Sequence, residues 1–295
     1  MVASETKKAE IFSALLTPMH ESGALNLPAL KALVRHEMAH GVEGFYCCGS
    51  SGEGLLLDTS ERMAIVDTLS QEVSGKVPFI VHTGSLSTNE AIKLSLHAQD
   101  RGAQAVSLIP PIYYHYSESE IQHYYEDVAD AVDLGVIVYN IPQFTGISFS
   151  KKNPLMHNPK IVGIKHTSSN LYELERIAQA FPDKTLFNGF DEIWLYSMAA
   201  GATATIGTTV NVCPKLYRAI RDSFLAGDMP KAQALQHKAN DFIETLVQQG
   251  IFSATKYCME LLGLEIGPCK KPFDRLTEDK KKIVEVALQK IEGYL

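Results

Sequence analysis

The chain has 295 residues, 45% hydrophobic and 21% charged, enough apolar material for one large domain or two small ones and too much for a disordered chain. A formal charge of -7 leaves no basic surface for a phosphate backbone, so nucleic acid is excluded as a partner. Cys47, Cys48, Cys213, Cys258 and Cys269 are odd in number and lack C-x-x-C spacing, which argues against a disulfide framework or a zinc knuckle; they are expected to be reduced and mostly buried.

The first ten residues are polar and carry no apolar core of a signal peptide, and no apolar stretch approaches the ~20 residues that span a bilayer. The expected location is the cytoplasm, with no membrane partner. From there short apolar runs recur at 11–16, 44–48, 78–82, 105–109, 136–140, 161–165, 185–188 and 202–207. Polar clusters that can cap helices lie between them: Thr59-Ser60-Glu61-Arg62, Ser87-Thr88-Asn89-Glu90, Ser117-Glu118-Ser119-Glu120, and Ser168-Ser169-Asn170 before Leu171. Eight alternations of strand and helix in about 225 residues fit a (β/α)8 TIM barrel better than an open doubly wound sheet.

The first outer helix carries an apolar stripe of Leu30, Leu33, Val34 and Met38, and on its flank stands His36-Glu37-Met38-Ala39-His40. This satisfies H-E-x-x-H, in which two histidines one turn apart bind zinc and a glutamate activates water. No G-x-x-H continuation follows, since Glu43 and Tyr46 occupy those places, and the helix lies outside the barrel, far from its mouth. The remaining histidines show no ligand spacing, so no metal and no cofactor are expected.

Beyond the eighth strand, segments 214–226, 229–249, 252–262 and 279–294 read as helices, more than a barrel needs. The expectation is a catalytic barrel over 1–225 and a C-terminal helical extension over 226–295 packed on it, with no linker between them. Lys280-Lys281-Lys282 follows the Thr277-Glu278-Asp279 cap and forms the solvated face of the last helix.

Barrel enzymes work at the carboxyl ends of their strands. There this chain places Gly49-Ser50-Ser51-Gly52-Glu53, Tyr139-Asn140, Lys165 with Thr167, Gly189-Phe190-Asp191-Glu192, and Thr208-Thr209. Lys165 ends the otherwise apolar run Ile161-Val162-Gly163-Ile164-Lys165. Alternation along the strand puts it on the inward face with Gly163 and Thr167, where Gly163 is expected to leave space below the amine. Burial there would lower the amine towards the neutral form that attacks a carbonyl; the alternative is a strand-end lysine paired with an acid or reaching solvent. Tyr139, on the neighbouring strand, offers a phenol that can shuttle a proton, or simply packs in the barrel mouth. The Gly49–Gly52 turn could gather amides and hydroxyls on a small anion or serve as a connector. Asp191 and Glu192 could accept hydrogen bonds from sugar hydroxyls or favour the start of the next helix.

Five ordered segments together carry a resemblance that covers nearly the whole length: G-S-S-G-E at 49–53, Y-N-I-P-x-x-T-G at 139–146, I-V-G-I-K-x-T at 161–167, G-F-D-E at 189–192 and K-P-F at 271–273. The chain resembles the pyruvate-dependent class I aldolase family that includes dihydrodipicolinate synthase and N-acetylneuraminate lyase. The resemblance implies that Lys165 forms a Schiff base with C2 of a keto acid, that Ser50, Ser51 and nearby amides such as Gly52 grip its carboxylate, and that Tyr139 relays the proton. It also implies that Thr167, Gly189, Asp191, Glu192 and Thr208 hold a polyhydroxy tail, and that Tyr113 approaches a neighbouring subunit's site in a homotetramer; composition is equally compatible with a dimer. The implied reaction is reversible cleavage of N-acetylneuraminate, a sialic acid, to pyruvate and N-acetylmannosamine, with pyruvate and a sugar aldehyde as the only partners. In the synthases an arginine usually follows the Y-N-x-P segment, whereas Gln143-Phe144 stand here, which disfavours aspartate semialdehyde. Ser51 and Thr208 exchange the hydroxyl residues often found there, Pro110 precedes Tyr113 where threonine is usual, and His166 neighbours the lysine. An aldolase for another 2-keto-3-deoxy sugar acid and a non-catalytic keto-acid sensor are the rival readings; the sensor's signature, loss of Lys165 or Tyr139, is absent.

Overall fold

The structure is a computed structural model and describes residues 9–295; the expectation of a leader-free amino terminus falls almost entirely outside them. Eight strands run in chain order around a closed parallel barrel: β1 (Glu10–Ala14), β2 (Gly44–Cys47), β3 (Phe79–His82), β4 (Ala105–Leu108), β5 (Gly135–Asn140), β6 (Ile161–His166), β7 (Thr185–Asn188) and β8 (Ala204–Gly207). Residues 15–16, expected in β1, lie beyond its end, and β2 stops at Cys47 because Cys48 turns into the left-handed region at φ 58°.

The outer helices are α1 (Leu27–Ala39), α2 (Thr59–Val73), α3 (Thr88–Asp100), α4 (Glu118–Ala131), the short α5 (Pro142–Thr145), α6 (Leu171–Ala180), α7 (Trp194–Ala199) and α8 (Pro214–Leu225). Local chemistry sets their starts. Asp58, one residue ahead of the expected cluster, caps α2 in a reciprocal box with Glu61; Ser117 and Glu120 do the same for α4, and Asn170 accepts the Glu173 amide at the head of α6. Ser87 precedes α3 without making a side-chain cap bond.

Alternation along each strand divides the apolar residues into two cores. Phe12, Ala14, Tyr46, Ile80, Ala105, Ile137, Tyr139, Phe187, Ala204 and Ile206 fill the barrel, while Ile11, Phe45, Val106, Val136, Val138 and Ile164 pack outward against the helices. The outer core continues into α9 (Met229–Gln249), α10 (Ile251–Leu261) and α11 (Glu278–Gln289), and of these α9 and α10 close one side of the barrel mouth. Gly250, at φ 102°, provides the break that turns α9 into α10. Among the described residues no helix is long and apolar enough to cross a membrane.

One carboxyl group, that of Glu37, is fully buried in the packing of α1. The stripe of α1 runs Leu30, Leu33, Val34 and Glu37, with Met38 only half-buried, so the glutamate of H-E-x-x-H faces β1 rather than a metal. The rings of His36 and His40 stack at 4.0 Å, and His40 Nδ1 sits 2.7 Å from the His36 carbonyl, on which it donates. Among the described residues no cluster of three or more metal-ligating side chains occurs.

Candidate active site

At the carboxyl end of the barrel Tyr139 and Lys165 are direct cross-strand partners, and β7 sets Phe187 on the other side of the lysine. The register therefore points the phenol and the amine into the same interior. Lys165 Nζ lies 4.0 Å from the centre of the Tyr139 ring and 4.2 Å from that of Tyr46. Among the described residues no carboxylate touches it. Burial lowers the Lys165 amine from its ordinary value, against the opposing pull of Tyr139 and the more distant Asp191. For Tyr139 burial pushes the phenol up, but the lysine's charge and a hydrogen bond with Ser50 outweigh it and the net direction is down. Because the lysine's charge is what lowers the phenol, the two groups act as a pair: a free amine that attacks a ketone stands beside a neutral phenol, and a phenolate that removes a proton stands beside a cation.

Contrary to the expectation from the sequence, Gly163 does not leave space beneath the amine. A Cβ there would stand 2.5 Å from the Thr185 carbonyl, so the glycine admits the backbone of β7 instead. His166, the lysine's neighbour, points to the helix side: its Nδ1 accepts from the Asn140 amide at 3.0 Å and its Nε2 donates to the Asn170 carbonyl at 3.2 Å, while burial lowers its pKa. It anchors the start of α6 and stays out of the chamber.

A cavity of about 200 Å³ opens above Lys165. Its lining brings together Ser50, Ser51, Tyr139, Thr167, Gly189, Asp191, Glu192 and Thr208, all expected to share one pocket. Ser50 meets Tyr139 hydroxyl to hydroxyl at 3.4 Å, and Ser51 meets Thr208 at 2.7 Å, which closes the ring from β2 to β8. Asp191 is half committed: its Oδ2 accepts from the Thr209 amide and hydroxyl at 2.8 and 2.7 Å, while buried Oδ1, like Thr167 Oγ1, has no hydrogen-bond partner among the described residues. Burial raises the carboxyls of both Asp191 and Glu192. Gly189 is required for close approach, because a Cβ would collide with the Thr167 hydroxyl.

Two expected residues stand elsewhere. Gly52 does not line the cavity; its carbonyl accepts from Thr17 at 2.6 Å, so it shapes the turn from behind. Tyr113 is outside this chain's own pocket, 86% exposed and held at φ 85°.

Other pocket residues were not foreseen. Ile243 and Val247 of α9 and Ile251 and Phe252 of α10 form an apolar wall, and α9 packs on the Asp191 turn, where Gln236 donates to the Asp191 carbonyl at 3.1 Å. The helical extension thus belongs to the site. Its attachment is ionic at one point: Lys256 of α10 pairs with Glu53 at 2.5 Å, both fully buried, and Glu53 also accepts the Lys270 amide at 2.5 Å. Phe273 of K-P-F packs edge-on against Phe252 of α10 at 5.3 Å between centroids. Beneath the lysine, Tyr46, His82 and Ser107 form an aromatic and polar floor. Period-two alternation from Lys165 and Tyr139 across their neighbours was the available signal for them.

The profile of the Dihydrodipicolinate synthetase family matches residues 7–291. The N-acetylneuraminate lyase of Rhizobium meliloti is 40% identical over 269 residues, spanning 91% of this chain and 90% of its own. The crystal structure of CdNal from Clostridium difficile, in complex with mannosamine, superposes with a TM-score of 0.93 at 33% identity over 97% of this chain and 99% of the other. The sialic acid aldolase of Ruminococcus gnavus superposes at 0.94 with 27% identity over 98% of this chain and 100% of the other.

Proposed function

The chain belongs to the dihydrodipicolinate synthetase family, and from that premise we propose that it is a class I aldolase cleaving N-acetylneuraminate reversibly to pyruvate and N-acetylmannosamine. The observation that carries the chemistry is Lys165 buried between the Tyr46 and Tyr139 rings with no carboxylate among the described residues on its amine, at the floor of a hydroxyl-lined cavity. The names of the relatives support the choice of sugar acid.

In this reading Lys165 attacks C2 of the open-chain keto acid and water leaves, giving an iminium. The Tyr139 phenolate takes the proton of the C4 hydroxyl, the C3–C4 bond breaks, and its electron pair moves into the iminium to form an enamine. N-acetylmannosamine departs as the aldehyde. Protonation at C3 and hydrolysis then free pyruvate and regenerate the amine. Ser50 and Ser51 donate to the substrate carboxylate, which is held beside the cationic iminium. Thr167, the unpartnered oxygen of Asp191, Glu192 and Thr208 meet the hydroxyl-bearing tail, and the Gly189 backbone lets the chain pass close. Gln143 and Phe144 line the cavity where a synthase would offer a cation, so a second carboxylate finds no partner there.

By the same reading the protein is a homotetramer in which Tyr113 reaches the site of a neighbouring copy; its exposed ring and positive φ support this. The test of substrate is release of pyruvate from a panel of keto acids. N-acetylneuraminate should give the highest kcat/KM, and condensation of pyruvate with aspartate semialdehyde should be undetectable. A higher kcat/KM for another 2-keto-3-deoxy sugar acid would replace the assignment.

A further inference from the structure

Tyr46 stands in β2 and does not line the substrate cavity, yet four separate contacts converge on its buried side chain. Lys165 Nζ lies over one face at 4.2 Å. Gly49 abuts the ring edge: a Cβ on that glycine would be 2.5 Å from Tyr46 Cε1, so the ring occupies the place of a side chain in the Gly49–Gly52 turn. The Tyr46 hydroxyl donates to Ser107 Oγ at 3.1 Å on β4, and its ring meets Tyr139 edge-on with centroids 6.1 Å apart.

We propose that Tyr46 is a positioning residue for the reaction, whose ring face holds the lysine against Tyr139 and whose edge fixes the serine turn at the same time. The inference rests on the reading of Lys165 as the Schiff-base residue. Its physical basis is the choice of partner. A carboxylate in contact with the amine would keep it protonated and unreactive, whereas the negative face of an aromatic ring attracts the iminium cation without taking up the amine's lone pair. The Ser107 bond stops the ring from tilting away, and the absent side chain at Gly49 lets the turn close on its edge. One aromatic residue thereby couples the electrophile's nitrogen to the groups that grip its carboxylate.

The groups facing Lys165 are Tyr46 from β2, His82 from β3, Tyr139 from β5 and Asp191 after β7, with Arg62 of α2 acting on Tyr46 and His82. Burial lowers His82 well below its ordinary value, so it is neutral when the amine titrates. The pH profile of the amine therefore reports chiefly on the two rings and on Asp191.

The test is the rate of borohydride trapping with pyruvate as a function of pH, in the unsubstituted protein, Tyr46→Phe, Tyr46→Leu, and a protein carrying pentafluorophenylalanine at the same position. Tyr46→Phe retains the face and should stay within about threefold of the unsubstituted protein with its profile unmoved. The fluorinated ring has nearly the same size but a reversed face, and should displace the acid limb of the profile towards lower pH by up to about one unit. Tyr46→Leu should show the same displacement and trap about tenfold more slowly, because the amine loses its seat. Should the leucine variant be unfolded at assay temperature, the comparison between the two phenylalanine rings decides alone. Equal profiles for those two rings would overturn the proposal. No adduct on the unsubstituted protein would instead overturn the Schiff-base reading, and this inference with it.

Discussion

A lysine side chain with an exposure of 4% has to be stabilised by something other than water, and here the stabilising groups are two tyrosine rings. Tyr139 has a second task that its ring alone cannot perform. Tyr139→Phe keeps the packing and removes the proton acceptor, so cleavage should fall by about 10²–10⁴ in kcat while pyruvate is still trapped on Lys165; equal losses in cleavage and trapping would remove Tyr139 from the proton relay. The inward direction of Lys165 and its pairing with Tyr139 were legible from alternation within two strands. For the floor beneath them alternation offered only an inward direction, not the contacts. Tyr46 and His82 sit in runs that read as buried apolar strands, and the polar contacts that distinguish them, with Ser107 and the Ile109 amide, are made to other strands across the barrel. Gly163 was misread for a related reason: a glycine's missing side chain shows what is absent, and only the fold shows that the Thr185 carbonyl fills the gap.

At the scale of elements, α1 illustrates how a motif can mislead. H-E-x-x-H has the spacing of a zinc site, but the helix presses its glutamate into the β1 interface, where burial pushes the carboxyl up to about 8. The sign of the linkage follows. With the folded value above the unfolded one, the folded state binds the proton more tightly, so Glu37's contribution is most favourable below the unfolded value near 4.5 and declines as pH rises towards 8. Against Glu37→Gln, which cannot titrate, the unsubstituted protein should lose on the order of 1.4 kcal/mol per pH unit across that interval. Urea denaturation at pH 5 and pH 8 measures it; a stability difference that does not change with pH would place Glu37 in contact with water or a cation. The helical extension shows the opposite relation. Helices α9 to α11 were expected as an outer layer, but Val247, Ile251 and Phe252 reach the substrate cavity, and the buried Glu53–Lys256 pair joins α10 to the serine turn. Amphipathic periodicity gave the helices; which face meets the mouth depends on the chain reversal at Gly250, whose angle no periodicity encodes.

For the whole molecule, the order of strands and the closure of the barrel were readable because eight apolar runs recur between helix-length segments, and right-handed parallel crossovers leave few other arrangements. Assembly is the part that one chain does not carry. Tyr113, beside exposed Tyr114, projects from the loop after β4 and touches nothing of its own chain's cavity. If it completes a neighbour's site, Tyr113→Ala should lower kcat/KM by at least about tenfold with the fold retained, and mixing it with Lys165→Ala protein should restore part of the activity as subunits exchange. Sedimentation equilibrium on each variant checks that association itself persists; full activity in Tyr113→Ala would assign this tyrosine to the surface alone. The account depends above all on one covalent bond. Intact-mass spectrometry after incubation with pyruvate and borohydride, on the unsubstituted protein and on Lys165→Ala, should find a single reduced-pyruvate adduct on the first and none on the second. An unmodified first protein, or an adduct that survives in Lys165→Ala, would contradict it.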